Sequence, residues 1–418
     1  MKNTILEKTG EYKKVLNLYD LILSNIGYII GAGIFVLIGK TINIAGNAAW
    51  VSVILSGLFI YFISNSYIKV HLEYLSNDAE YLAIKDKYGA IISNIAIVIT
   101  IISIIAIVYV VLLGFGSYFS SMVGNAINPF ISSLIGLLFA VIINIYGIEL
   151  TANINSFFTL SGIIGLFLLI ILGFIYIFNN WKTTLSNFIT KNITKDTIKD
   201  IIKNINVINI LYGAFIFVFA YFGFELIIRL NAESENNEKD IPEAIKYSIW
   251  FAIIIYTLMA IIIIGVFGGD IDKISNNIKP LSILISKLTK NTLIIKYIEL
   301  CGVGLTWNTI LLSITYGSRL LTEFVKKISA NSIQETTPTG TDIEKLIHNK
   351  TTIDKSILEN TIFIFKNINK YTNTPINSIM LISLIIVLLL LLKVDIISST
   401  IIANSGCIII MLLVYLSS

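Results

Sequence analysis

The chain has 418 residues; 56% are hydrophobic, only 13% are charged, and the mean hydropathy is +0.84. Soluble domains carry about a quarter charged residues, so charge this scarce cannot coat a soluble globule of 46.5 kDa, and a water-soluble enzyme is excluded. The formal net charge of +4 comes almost wholly from lysine, the only arginines being Arg229 and Arg319; so small an excess is ordinary for a membrane protein with cytoplasmic lysines and gives no sign of a nucleic-acid partner.

The apolar runs are unbroken rather than alternating, which argues for helices and against a β-barrel. A spanning helix needs about 20 mostly apolar residues. In chain order the sequence offers about ten such spans, at 16–39, 45–68, 91–119, 130–146, 157–178, 208–230, 244–267, 293–320, 376–392 and 394–415. Lys393-Val394-Asp395 reads as a tight turn between the last two. The fold class is therefore an all-α integral membrane protein whose main partner is the lipid bilayer. The polar stretch 1–15 is placed in the cytoplasm, with no cleavable signal sequence. Residues 16–178 hold spans one to five, 179–207 an external loop, and 208–418 spans six to ten, including a long cytoplasmic loop at 326–370. With both termini inside, the inner loops carry more Lys and Arg than the outer ones, as the positive-inside rule requires. The contrary charge lies in the external loop, where Ile198, Ile201, Ile202 and Ile205 recur at helical spacing and predict an amphipathic surface helix. Loop 326–370, broken at Pro338 and Gly340, is either an inert linker or a regulatory segment.

Few residues in the spans carry chemistry. Cys301 and Cys407 lie in apolar segments, which implies neither a disulfide framework nor a thiolate metal site. His71 and His348 stand apart in polar stretches. No His-rich metal set, Ser/His pair or carboxylate cluster falls inside a span, so the reading is not an enzyme, and no cofactor or metal is called for.

Two spans contain interruptions. The first is Ile29-Ile30-Gly31-Ala32-Gly33-Ile34-Phe35, midway along span one; the second is Ala220-Tyr221-Phe222-Gly223-Phe224-Glu225 in span six. They hold matching positions if spans one to five and six to ten are two five-helix repeats, which an odd number of spans makes inverted. Gly-interrupted helices at matching positions point to a transporter's midplane site. Glycines let the chain leave the helix, and backbone so freed is tolerated only under cover of protein or beside a wet cavity. The amides of Ala32, Gly33 and Ile34 are expected to start a half-helix whose positive end suits a carboxylate. Carbonyls near Ile29 and Ile30, and near Phe219 and Ala220, are expected to accept from an ammonium. Donors beside acceptors fit a zwitterion, an α-amino acid. The competing reading of Gly-x-Gly is close helix packing. Glu225 is the one acidic residue expected deep in a span, where it needs a partner or a function. Either it pairs with Arg229 at i,i+4, or it faces the cavity to bind a cationic side chain or carry a proton.

Leu18-Tyr19-Asp20 leads into Ile29-Ile30-Gly31-Ala32-Gly33-Ile34-Phe35-Val36, and span six gives Phe219-Ala220-Tyr221-Phe222-Gly223-Phe224-Glu225. Ala232-Glu233 and Lys239-Asp240-Ile241-Pro242-Glu243 follow, then Gly317-Ser318-Arg319 late in span eight and Thr374-Pro375 before span nine. Taken in order, these segments resemble the amino acid–polyamine–organocation family of permeases, and within it the cationic amino acid transporter branch. The resemblance implies an inverted-repeat fold of the leucine-transporter type and an amino acid permease working by alternating access. It puts the substrate's carboxylate on the span-one amides and its amino group on carbonyls of spans one and six. Tyr221 or Phe224 would gate the site. Arg319 and Glu233 would hold structural places on the cytoplasmic side. The alternatives kept beside it are a polyamine or other amine transporter and a sensing protein that binds an amino acid without moving it. The sequence departs from the family where Lys69 follows Tyr67-Ile68, and where Thr159-Leu160-Ser161-Gly162 has no lysine for proton coupling. The coupling ion, H+ or Na+, stays open.

Asn192-Ile193-Thr194 in the external loop is a glycosylation sequon and so reports topology. Expression in a eukaryotic secretory membrane is expected to yield a species that endoglycosidase shifts to lower mass, a shift abolished by Asn192→Gln. A chain that stays unmodified would put this loop on the inner side.

Overall fold

The computed structural model describes residues 16–76, 78–146, 148–188, 207–231, 234–268, 279–334 and 374–418, together with residues 274, 369 and 372. Among the described residues there is no β-strand, only an isolated bridge between Leu16 and Ser234. The helices are α1 (Leu18–Ala32), continued by a π-helical turn (Gly33–Leu37) into α2 (Ile38–Ala45), then α3 (Ala49–Tyr74), α4 (Ala79–Met122), α5 (Pro129–Tyr146), α6 (Ile148–Asn179) and α7 (Trp181–Phe188). After these come α8 (Val207–Phe217), two 3-10 segments (Val218–Tyr221 and Phe224–Leu230), α9 (Asn237–Phe267), α10 (Pro280–Leu288), α11 (Thr292–Gln334), α12 (Ile376–Leu392) and α13 (Ile396–Ser417). Among the described residues eight helical runs are long and apolar enough to cross a membrane. The first, Leu18–Tyr74, holds two passes joined at Gly46–Ala48, and the shorter apolar helix Ile376–Leu392 adds one more. The chain is thus an all-helical, multi-pass membrane protein of about ten crossings.

The structure lengthens some expected spans. Span three is expected at 91–119, but α4 begins at Ala79 and bends at Gly89, whose φ of 84° and ψ of 170° interrupt it. The short helical arm before the bend carries Glu80 and Tyr81, which the sequence reading leaves in a loop. Residues 189–206, with the expected amphipathic helix at 198–205, lie outside the described residues, as does 335–368 of the loop after span eight.

Lipid tails are as apolar as leucine, so helices in a membrane associate through close packing and interhelical hydrogen bonds rather than hydrophobic drive. Polar side chains here reach across to neighbouring backbones. Asn144 of α5 donates to Leu311 O at 3.1 Å, Trp307 of α11 to Gly136 O at 3.1 Å, and Asn308 to Asn155 O at 3.0 Å. These three bonds tie α11 to α5 and α6. Asn404 of α13 donates to Phe215 O at 2.7 Å, and Ser52 of α3 to Ile210 O at 2.8 Å, which fixes α8 between them. Leu138, Ile164 and Leu391 are exposed, on faces that acyl chains would cover.

Against this frame the two interrupted helices meet directly. A Cβ built on Gly33 would lie 2.2 Å from Ala220 Cβ and 2.3 Å from Ala220 Cα, so backbone packs on backbone there. Gly33→Ala is expected to push the helices apart and cost about 1–3 kcal/mol, as overpacking does. Thermal unfolding of purified protein in detergent checks it; an unchanged midpoint would contradict this contact.

Candidate functional site

The first interruption is built from α1 upward. Asn17 caps that helix, accepting from Tyr19 N at 2.9 Å and Asp20 N at 3.2 Å, while Asp20 Oδ2 accepts from Asn17 N at 3.2 Å. The helix then runs through Gly31 and Ala32 without unwinding. At Gly33–Leu37 it widens into a π-turn before α2 resumes. The expected loss of helix at Gly31–Gly33 is therefore a widening instead. A π-turn moves the pairing from i+4 to i+5 and disturbs the carbonyls at its edges. Hydroxyls from other helices meet them: Tyr256 of α9 donates to Ile29 O at 2.7 Å, and Tyr118 of α4 donates to Phe35 O at 2.8 Å. Gly31 faces α11, where a Cβ would fall 1.9 Å from Thr309 Oγ1 and 2.5 Å from Leu305 O, whereas Gly33 faces Ala220. Both glycines thus serve close packing. Ile30 and Ile34 are fully buried beside them.

The second interruption is a true break. After the 3-10 turn Val218–Tyr221, Phe222 is extended (φ −60°, ψ 145°) and Gly223 is left-handed (φ 107°), and a 3-10 segment restarts at Phe224. Only glycine fits at 223, both for its φ and because a Cβ would lie 1.7 Å from the Tyr28 ring. The Phe219 carbonyl is taken up within the turn by Phe222 N at 3.2 Å. The Ala220 carbonyl instead faces Tyr256 Oη at 3.0 Å. Tyr221 donates to Val53 O at 3.2 Å, and the Phe224 ring packs edge-on to Tyr67 with centroids 5.3 Å apart.

Of the two readings of Glu225, the pairing with Arg229 is not the one the structure contains. Residues 224–230 form a 3-10 helix, which has three residues per turn, so positions i and i+4 no longer share a face. Arg229 forms its ion pair with Glu80 on the arm that precedes the α4 bend, and its guanidinium lies 5.6 Å from the Tyr81 ring centroid. Glu225 Oε2 accepts from Gly223 N at 2.9 Å, capping the restarted helix from inside its own turn. The rest of Glu225 lines a small cavity of about 30 Å³. Tyr28, Tyr67, Phe222, Arg229, Glu80 and Cys407 share that wall.

Sequence reasoning missed several residues. Tyr256 and Tyr118 carry a signal visible in hindsight: a phenol deep in an apolar span needs a hydrogen-bond partner. Glu80 gives no such signal, because Ser76-Asn77-Asp78 just before it has the composition of a loop. Glu225 is also not alone as a deep carboxylate. Glu299 of α11 is 5% exposed and accepts from Ser121 Oγ and, at 2.7 Å, from Ser282 Oγ. Arg319 lies on α11, half-buried. Glu233 and the side chain of Ala32 lie outside the described residues. Among the described residues no group of three or more His, Cys, Asp or Glu side chains is arranged to hold a metal ion.

About ten membrane-crossing helices, two of them interrupted and touching at their breaks, define an integral, multi-pass membrane protein with irregular backbone buried inside it. Residues 16–337 match the family described as amino acid permease, and the chain belongs to that family. It is 27% identical over 256 residues to an uncharacterized protein of Methanocaldococcus jannaschii, covering 60% of this chain and 55% of that protein. It is 24% identical over 250 residues to an uncharacterized transporter of Bacillus subtilis, covering 59% of this chain and 53% of that protein. The chain thus spans about half the length of the curated relatives it matches.

The Glu80–Arg229 pair joins the α4 arm to the second broken helix. Glu80→Ala leaves a desolvated guanidinium unpaired and is expected to cost about 3–5 kcal/mol. Thermal unfolding in detergent measures the loss, and a wild-type midpoint would show that Arg229 finds another partner at no cost.

Proposed function

We propose that this protein is a secondary-active transporter of amino acids working by alternating access. One observation carries the reading: the two interrupted helices touch at Gly33 and Ala220, and carbonyls from both, those of Ile29 and Ala220, converge on one hydroxyl. Carbonyls gathered from two helix breaks are suited to an ammonium. The amides of Ala32, Gly33 and Ile34 lie in helix and π-turn that run on without unwinding, so they would meet the carboxylate of an α-amino acid in a state in which that turn opens. Membership in the amino acid permease family supports the same substrate class.

In this reading residues 16–178 and 208–418 are inverted repeats of the leucine-transporter type, with both chain ends on the cytoplasmic side. Tyr221 and Phe224, which pack against α3 through Val53 and Tyr67, separate the site from the cavity and act as its gate. Spans one, two, six and seven rock against the others. Glu225 lines the small cavity beyond that gate, which the substrate's side chain would enter once the gate opens and the cavity widens. Glu225 is held by a main-chain amide rather than by Arg229, so its charge is left for a cationic side chain. Arginine or lysine is therefore the preferred substrate.

Uptake of a labelled panel of amino acids, amines and polyamines into proteoliposomes tests the reading. Saturable amino acid flux is expected; no saturable flux for any member would overturn it, and binding without counterflow would make the protein a sensor instead. Glu225→Gln is expected to weaken arginine and lysine about tenfold or more, the worth of a hydrogen bond to a charged group, while neutral amino acids keep their affinity. Equal losses for both classes would remove the cationic preference and leave the transporter.

A further inference from the structure

Tyr256 lies in the middle of the apolar helix α9 and is fully buried. Its ring is fixed by edge-on contacts with Tyr221, at 5.2 Å between centroids, and with Phe217, at 5.4 Å. The hydroxyl so placed lies 2.7 Å from Ile29 O and 3.0 Å from Ala220 O. Both are hydrogen-bond distances, yet a phenol has one proton to give. Tyr118, Tyr221 and Tyr297 each hold a single carbonyl, those of Phe35, Val53 and Ser161. At Tyr256 a single hydroxyl proton faces two carbonyls from the two interrupted helices, each with a second lone pair to offer, in a fully buried place. A primary ammonium carries three N–H donors, one for each of the three oxygens, and a positive charge that suits the carbonyl end of the α8 segment.

We propose that the Tyr256 hydroxyl is the third oxygen of an ammonium cradle formed with the carbonyls of Ile29 and Ala220. Without substrate it caps both carbonyls as far as one proton allows. With substrate it turns its proton away and accepts from the amine. The inference deepens the transporter reading and rests on it. It also names the selectivity that follows: each N-methyl group removes one donor, so the cradle ranks primary above secondary above tertiary amines.

The experiment compares the best wild-type substrate with its N-methyl and N,N-dimethyl forms in binding and uptake, on wild type, Tyr256→Phe and Tyr118→Phe. Wild type is expected to lose affinity in two steps, each about tenfold. Tyr256→Phe is expected to raise KM for the primary amine about tenfold and to shrink the primary-to-secondary ratio towards one. Tyr118→Phe, which caps the far side of the same break, is expected to lower thermal stability and leave that ratio at its wild-type value. A wild-type protein that binds amino acids but ignores N-methylation overturns the cradle and leaves the transporter standing, as does a folded Tyr256→Phe with the wild-type ratio. Should Tyr256→Phe fail to fold, the methylation series on wild type decides alone. A wild-type protein that binds neither amino acids nor amines overturns both.

Discussion

Inside a bilayer no water takes over a hydrogen bond that a helix gives up, so every irregular stretch of a spanning helix must find its partner on another helix. The π-turn at Gly33–Leu37 and the break at Phe222-Gly223 create that demand. Tyr118 of α4 and Tyr256 of α9 answer it for the first helix, and Tyr256 again for the second. One side chain thereby joins three elements, with Ile29 lying 227 residues from Tyr256 in sequence and Ala220 36. The packing of α9 along α1 and α3 is what puts its hydroxyl in reach.

The same constraint sorts the buried charges. Arg229 and Glu80 neutralise each other, one on the restarted helix and the other on the arm before the α4 bend. Glu299 is stabilised by two serine hydroxyls, from the end of α4 and from α10, so it links three elements on one side of the bundle. Glu225 accepts from a main-chain amide and lines a small cavity shared with Arg229 and Glu80. That main-chain bond sets it apart from the other two, whose partners are side chains.

Much of this was legible from the chain alone, because the relevant signals are local. Gly223 was legible as an interruption matching the one in span one, and its φ of 107° shows that the backbone there needs glycine. Gly31 and Gly33 were legible as special but not in kind. Whether glycine signals unwinding or close approach depends on what lies opposite, and Thr309 and Ala220 lie far away in sequence. The Glu225–Arg229 pairing, one of the two readings the sequence leaves open, is absent for a related reason. A spacing of four implies a shared face only in an α-helix, and the strain of restarting after the break leaves a 3-10 helix in its place.

By itself the sequence determined the class, the number of crossings and the positions of the two interruptions, since hydropathy and glycine placement act within one turn or one span. The tertiary structure decided the partners: that Arg229 belongs to Glu80, that Glu299 is a second deep carboxylate, and that Ile29 and Ala220 share Tyr256. Such pairings are set by how helices from distant parts of the chain stack side by side, and no local pattern encodes which hydroxyl will face which carbonyl.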